Sequence, residues 1–550
     1  MIRTSRRLLL LFALTILTSL VAFATRVERL IDAWQPSNYV VSLTLNDQLS
    51  EIVTGSARID VLVLKETSVI DLDFGEMTTN SVKVDSKPAQ FTHQNGKLEV
   101  QLAAAANPGT RIVIEVVYHG KPKDGLIMTK DKSGQPSAVG DNWPNRVHHW
   151  IPSFDHPSAK ATVTFNITAS PGQEVVANGK LQNIHANADG NRTWTYSTGV
   201  PIPPYCMIIA VGDFTRLHPT ERTPTPLTYY VPGADRDVAM KGFAPAIPSV
   251  QYFNEIVAPY PYEKLALIVG ATQFGGMENS SAIVFTSTMF DPKPRAKIST
   301  RFGIPNGTVS LIAHEIAHQW FGDSVTESTW ADLWLSEGFA TYFAGLFVER
   351  YEGEEAFREY MKQAAQTVFE YEKKSRTPIF DRDTENLMNL LNPNNYQKGA
   401  WVLHMLRSSL GDEVFFRGIR DYYHAHEDRT ASTEDLRAAL EKASGKDLKD
   451  FFQRWVYGVG HPKYNVSIEF VPHGELRVIL RQVQPGDAFR DPIPIVVATA
   501  DGKQSIVVTP NGKEAIATIK VTDRVMRNPI RGVDVQVDPN NTLLKEVTTK

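Results

Sequence analysis

Cysteine is all but missing: Cys206 is the single thiol in 550 residues, which excludes an internal disulfide and any cysteine-built metal cluster. Metal chemistry, if there is any, must come from histidine and carboxylate side chains. Runs of Lys or Arg are also missing. With a formal net charge of −4 there is no stripe able to neutralise a phosphate backbone, which argues against nucleic acid as a partner. Beyond Ala24 no segment is both apolar and long enough to span a membrane, and there is no internal repeat or low-complexity tract.

What is present is an ordinary globular composition, 42% apolar and 21% charged, in a chain too long for one core, which implies three or four domains. Residues 1–24 carry Arg3, Arg6 and Arg7, a mostly apolar run from Leu8 to Phe23, and the small-residue pattern Ala22-Phe23-Ala24, the layout of a cleaved signal peptide. The expectation is export, periplasmic or secreted, with an uncleaved N-terminal anchor as the alternative.

Periodicity divides the remainder into a multidomain α+β chain. Residues 25–220 alternate apolar and polar side chains in short segments split by Gly, Pro and Asn, as antiparallel strands require, and Ala161 to Ile167 is the clearest. Residues 221–462 turn helical, with segments at Val309 to Phe321, Trp334 to Tyr351, Ala400 to Leu410 and Ser432 to Trp455. Ser432-Thr433-Glu434-Asp435 opens the last of these with capping chemistry. Strand patterns return at 463–550, separated by Asp501-Gly502 and Asn511-Gly512 turns, and predict a small β-sandwich domain.

The chemistry is concentrated on two of the helices. His314-Glu315-Ile316-Ala317-His318 puts two imidazoles one turn apart on the same face, a spacing that suits one tetrahedral zinc, with Glu315 between them as a base for water. With 14 His in the chain, such a motif arises by chance in only about 2 chains in 100 of this composition. Catalytic zinc keeps three protein ligands. Glu337, after 18 intervening residues and flanked by the apolar Leu335 and Phe339, is the candidate third, because a divalent cation offsets the burial of its charge.

Together with Trp150 to Pro157, Gly275-Gly276-Met277-Glu278-Asn279 and Tyr396-Gln397-Lys398-Gly399-Ala400, in that order, these motifs resemble the aminopeptidase N family of zinc metallopeptidases. The resemblance implies a thermolysin-like catalytic domain, one Zn2+ per chain and peptide substrates with a free N-terminus, with no protein partner required. It also implies roles: Glu278 binds the substrate α-ammonium, and the Tyr396 hydroxyl donates to the oxyanion. Gly275 and Gly276 let backbone approach the peptide closely, Met277 and Phe274 are candidate pocket residues, and Asn279 completes the motif. An Asn-x-Ser match at Asn279 is read as chance.

Two features depart from the family pattern. Where relatives carry Gln-x-Glu before the Trp150 block, this chain has Asp141-Asn142-Trp143, so Asp141 is a candidate for the amine contact, with a turn residue as the alternative. The long helical C-terminal domain of many relatives is not expected, since about 90 residues follow Pro462 and read as strands. Other classes stay open: a non-catalytic peptide-binding protein, which should have lost a catalytic residue, an epoxide hydrolase sharing the zinc site, and an endopeptidase indifferent to the free amine.

Overall fold

The computed structural model describes residues 26–221, 223–291, 307–526 and 533–549. The signal-peptide reading falls on residues 1–24 and lies outside them. Three units follow one another in the chain, in the order expected: β, mainly helical, β.

The first unit is built on an eight-stranded sheet in which Trp34–Leu45 and Ile52–Val63 pair antiparallel at the centre, while Thr162–Ala169 pairs parallel with Trp34–Leu45. The strand read at 161–167 forms at Thr162–Ala169 and turns Val163, Phe165 and Ile167 inward. A three-stranded sheet (Thr67–Asp73, Lys97–Ala106, Phe91–Gln94) and a four-stranded one (Glu174–Ala177, Ile209–Gly212, Pro136–Gly140, Leu126–Lys130) complete the unit.

The second unit differs from the expectation at its start. Before any site helix the chain lays down a five-stranded sheet, Phe214–Leu217, Leu227–Pro232, Leu265–Gly270, Ala282–Thr286 and Gly276–Met277 in spatial order. The reason is burial on both faces: Leu265–Gly270 and Ala282–Thr286 are inside throughout, so they read as continuous apolar runs without the alternation that marks a half-buried strand. This sheet also spans the boundary drawn at 220, because Phe214–Leu217 pairs with Leu227–Pro232.

The helices then form close to where periodicity put them, at Gly307–His318, Trp334–Glu352 and Gly399–Leu410. The single helix read at 432–455 is two, Thr433–Ser444 and Lys449–Trp455, because Gly445 adopts the left-handed conformation that ends the first. Its capping box is present, Ser432 with Asp435.

In the last unit two sheets share a core. Glu514–Lys520, Glu475–Gln482, Lys463–Val471 and Glu546–Thr549 form one, and Gly502–Val508, Ile493–Thr499 and Asp534–Val537 the other, with Val478, Leu480, Ile495 and Val497 buried among them. Among the described residues no helix is long and apolar enough to cross a membrane.

Candidate active site

His314 and His318 lie in the last turn and a half of the helix Gly307–His318, and Glu337 in the first turn of Trp334–Glu352, which packs against it. Their ligand atoms form a small triangle. The two imidazole Nε2 atoms are 3.0 Å apart, and Glu337 Oε2 is 3.3 Å from each. A tetrahedral ion with arms of about 2.0–2.2 Å holds its ligands about 3.3–3.6 Å apart, close to this triangle, so the residues fit a zinc ion. All three side chains are buried.

The electrostatics of the triangle call for a cation. Burial pushes the His314 imidazole down to about 4. Burial also opposes charge on His318, yet the Glu337 carboxylate outweighs it and holds that imidazole up at about 10, while His318 in turn draws Glu337 down to about 2. The buried Glu337 carboxylate thus takes a positive partner, the part a divalent ion would fill. The outer nitrogen of His318 is already oriented: its Nδ1 donates to the Phe321 carbonyl at 3.1 Å and lies 3.1 Å from Ser336 Oγ, leaving Nε2 for the metal. Gly322 makes this possible. The chain reverses there at φ +124°, and a Cβ would stand 2.4 Å from Ser336 Oγ.

Glu315, between the two histidines, belongs to a second cluster with Glu278 and His318, whose ligand atoms all lie within 4.8 Å of one another. Burial pushes Glu315 well above the usual carboxylate range and Glu278 up to about 7. Gly276 is the neighbour that admits Glu315, since a Cβ there would stand 2.2 Å from Glu315 Oε1. Gly276–Met277 is an edge strand paired to Ala282–Thr286, and the Gly275 carbonyl accepts from the Thr286 N–H at 3.0 Å. Met277 and Asn279 are buried, which also removes the Asn279 amide from reach of glycosylation.

Gln319, the residue after the histidine motif, joins this loop to the helix. Its Nε2 donates to the Glu278 carbonyl at 2.6 Å and to Asp323 at 2.8 Å, while its Oε1 accepts from the Ser281 N–H and the Tyr260 hydroxyl, both at 2.8 Å. Sequence reading passed over Gln319, Ser336 and Gly322, although the first two adjoin His318 and Glu337.

Tyr396 arrives on a π-helical turn, Asn394–Lys398. Its hydroxyl donates to Glu337 Oε1 at 2.7 Å, its ring stacks on His314 with centroids 5.9 Å apart, and burial keeps the phenol protonated, hence a donor.

Asp141 is fully buried, 3.0 Å from Arg146 Nη2, and accepts from the Gln273 N–H at 2.8 Å. Its carboxylate thus already has a guanidinium and a backbone donor. Trp143 stands edge-on to Phe274 and Trp330, with centroids 6.1 Å and 5.8 Å away, and the three make an aromatic wall. Glu327 had no sequence signal at all. It is buried, neither carboxylate oxygen has a hydrogen-bond partner among the described residues, and burial pushes its carboxyl well above the usual range.

Comparison with known proteins places this geometry. The Peptidase M1 N-terminal domain matches residues 35–206 and the Peptidase family M1 domain residues 245–455. Among similar proteins, Probable aminopeptidase 1 of Sulfurisphaera tokodaii is 26% identical over 477 residues, covering 82% of this chain and 58% of its own. Leucyl aminopeptidase of Saccharolobus solfataricus is 25% identical, with 75% and 52% covered. Human Glutamyl aminopeptidase is 29% identical, with 62% and 36% covered. The chain spans about half the length of the curated relatives it matches.

Proposed function

The chain belongs to peptidase family M1, and from that premise we propose that it is a zinc aminopeptidase, removing single residues from peptides with a free N-terminus. One observation carries the reading: the triangle of His314, His318 and Glu337 shares His318 with the pair Glu278 and Glu315, so a metal position, a base and a spare acid stand side by side.

His314, His318 and Glu337 would hold the ion, which supplies Lewis acidity toward the scissile carbonyl and the attacking water. Glu315 takes the proton of that water and passes it to the departing amine. Its place between the two histidines, with ligand atoms within 4.8 Å of His318, puts it within reach of both steps. Tyr396, protonated and beside Glu337, turns its one O–H from Glu337 Oε1 to the oxygen on which charge develops. Glu278 pairs with the substrate α-ammonium, and an internal or capped nitrogen leaves that carboxylate buried without its partner. The free edge of Gly276–Met277 offers main-chain groups to an extended peptide.

Names of the similar proteins support the aminopeptidase reading, and the sequence supports export through its N-terminal pattern. Aminoacyl chromogenic amides, assayed with and without chelator beside N-acetylated controls, test it. Cleavage that stops with chelator and spares the acetylated substrates is expected; equal cleavage of both sets refutes the exopeptidase reading.

A further inference from the structure

Of the motif Tyr396-Gln397-Lys398-Gly399-Ala400, the proposed chemistry uses only the tyrosine. Lys398, last residue of the π-turn, is completely buried. Its ammonium donates to Glu372 Oε1 at 2.7 Å and to the Gly460 carbonyl at 2.9 Å. Glu372 ends the helix Glu354–Glu372, and its second oxygen meets Nδ1 of His461. The other His461 nitrogen lies 2.9 Å from Glu546 Oε1 on the last strand, Glu546–Thr549, and the ring packs on Phe369 with centroids 4.5 Å apart. An unbroken polar chain, Lys398, Glu372, His461, Glu546, thus runs from the turn that carries Tyr396 to the C-terminal β unit.

We propose that Glu372 and His461 are positioning residues for Tyr396, through which the C-terminal β unit governs turnover rather than substrate affinity. A buried ammonium stays only where its counter-charge is, so the Lys398 side chain is located by Glu372, and Glu372 by His461. The π-turn turns that anchor into a rotational setting. Lys398 N–H reaches back five residues to the Pro393 carbonyl at 2.9 Å, one residue more than an α-helical turn encloses. Releasing Lys398 lets the turn revert to the α spacing, which rotates Tyr396 relative to Gly399 by roughly 100° and takes its hydroxyl off Glu337. Neither Glu372 nor His461 is a metal ligand or a member of the Glu278 cluster, so their loss spares metal and amine binding.

The proposal rests on the role given to Tyr396 above. The test is a double-mutant comparison at matched zinc content: Glu372→Gln and His461→Asn, each made in the native protein and in Tyr396→Phe, with kcat and KM measured on an aminoacyl amide. In the native background kcat falls by about tenfold or more while KM stays within about twofold; in the Tyr396→Phe background either change lowers kcat by less than about twofold, since the group they position is gone. Equal losses in both backgrounds, or a change in KM alone, overturn the proposal and leave a general structural role. Should Glu372→Gln not fold, His461→Asn carries the same comparison. A native protein that cleaves no aminoacyl amide, or a Tyr396→Phe variant with native kcat, overturns the reading of the site and this proposal together.

Discussion

Gly338 and Gly399 meet backbone to backbone: a Cβ on Gly399 would lie 2.9 Å from the Gly338 Cα, and one on Gly338 would lie 3.0 Å from the Gly399 Cα. No side chain fits between the ligand helix and the Tyr396 turn, and this contact sets the Tyr396 hydroxyl against Glu337. Gly338→Ala is expected to lower stability by about 1–3 kcal/mol and to reduce turnover. Denaturant unfolding checks the first, and an unchanged midpoint would show that the two segments have room to separate.

Gly276 has an ordinary backbone, so its side-chain-free state serves Glu315 rather than a turn. Gly276→Ala should displace the Glu315 carboxylate and cut kcat by about tenfold or more with zinc content intact, since general-base catalysis depends on placement within hydrogen-bond reach. Metal analysis beside kinetics decides it; native kcat contradicts the close contact.

Glu315→Gln keeps the shape of the side chain and removes its basicity. Zinc should bind with native stoichiometry while kcat drops by about 10²–10⁴-fold, and near-native turnover would remove Glu315 from the role of base.

Glu278→Gln tests the reading of the free amine. KM for aminoacyl amides should rise about tenfold or more, and the preference over N-acetylated substrates should shrink, because a neutral amide no longer rewards a positive charge. A variant that discriminates as sharply as the native protein would move amine recognition elsewhere, with Asp141 the next residue to test.

Stability should depend on acid through Glu372. Burial opposes its charge, but His461 and Lys398 outweigh that and hold the carboxyl down at about 2, against 4.5 in a free chain. A depressed carboxyl stabilises the fold above the unfolded value, so the contribution, about 3 kcal/mol, is present above pH 4.5 and lost as pH falls toward 2. Unfolding measured across that window should show a steeper acid loss for the native protein than for Glu372→Gln. Parallel curves would contradict it.

The sequence made some parts of this molecule legible and hid others for physical reasons. The histidine motif and Glu337 could be read because helical spacing converts directly into a shared face and because buried charge demands a partner. The strands at Thr162–Ala169 and Ile493–Thr499 showed their half-buried alternation. The sheet around Leu265–Gly270 did not, because burial on both faces erases that alternation. Gly445 broke a helix that periodicity alone carried through. Gln319 and the His461 chain were invisible for a different reason: each depends on partners that folding brings from distant segments, such as Ser281 for Gln319 and Glu372 for His461.

Gln319 has one more consequence. By gripping the Glu278 carbonyl from a position one residue beyond His318, it ties the Glu278 loop to the helix that carries Glu315. On the proposed reading, the tied pair is a ruler cut to the length of one α-amino acid. A peptide beginning with a β-amino acid, longer by one backbone carbon, cannot reach both marks at once, and should pass intact through a mixture whose ordinary neighbours are trimmed.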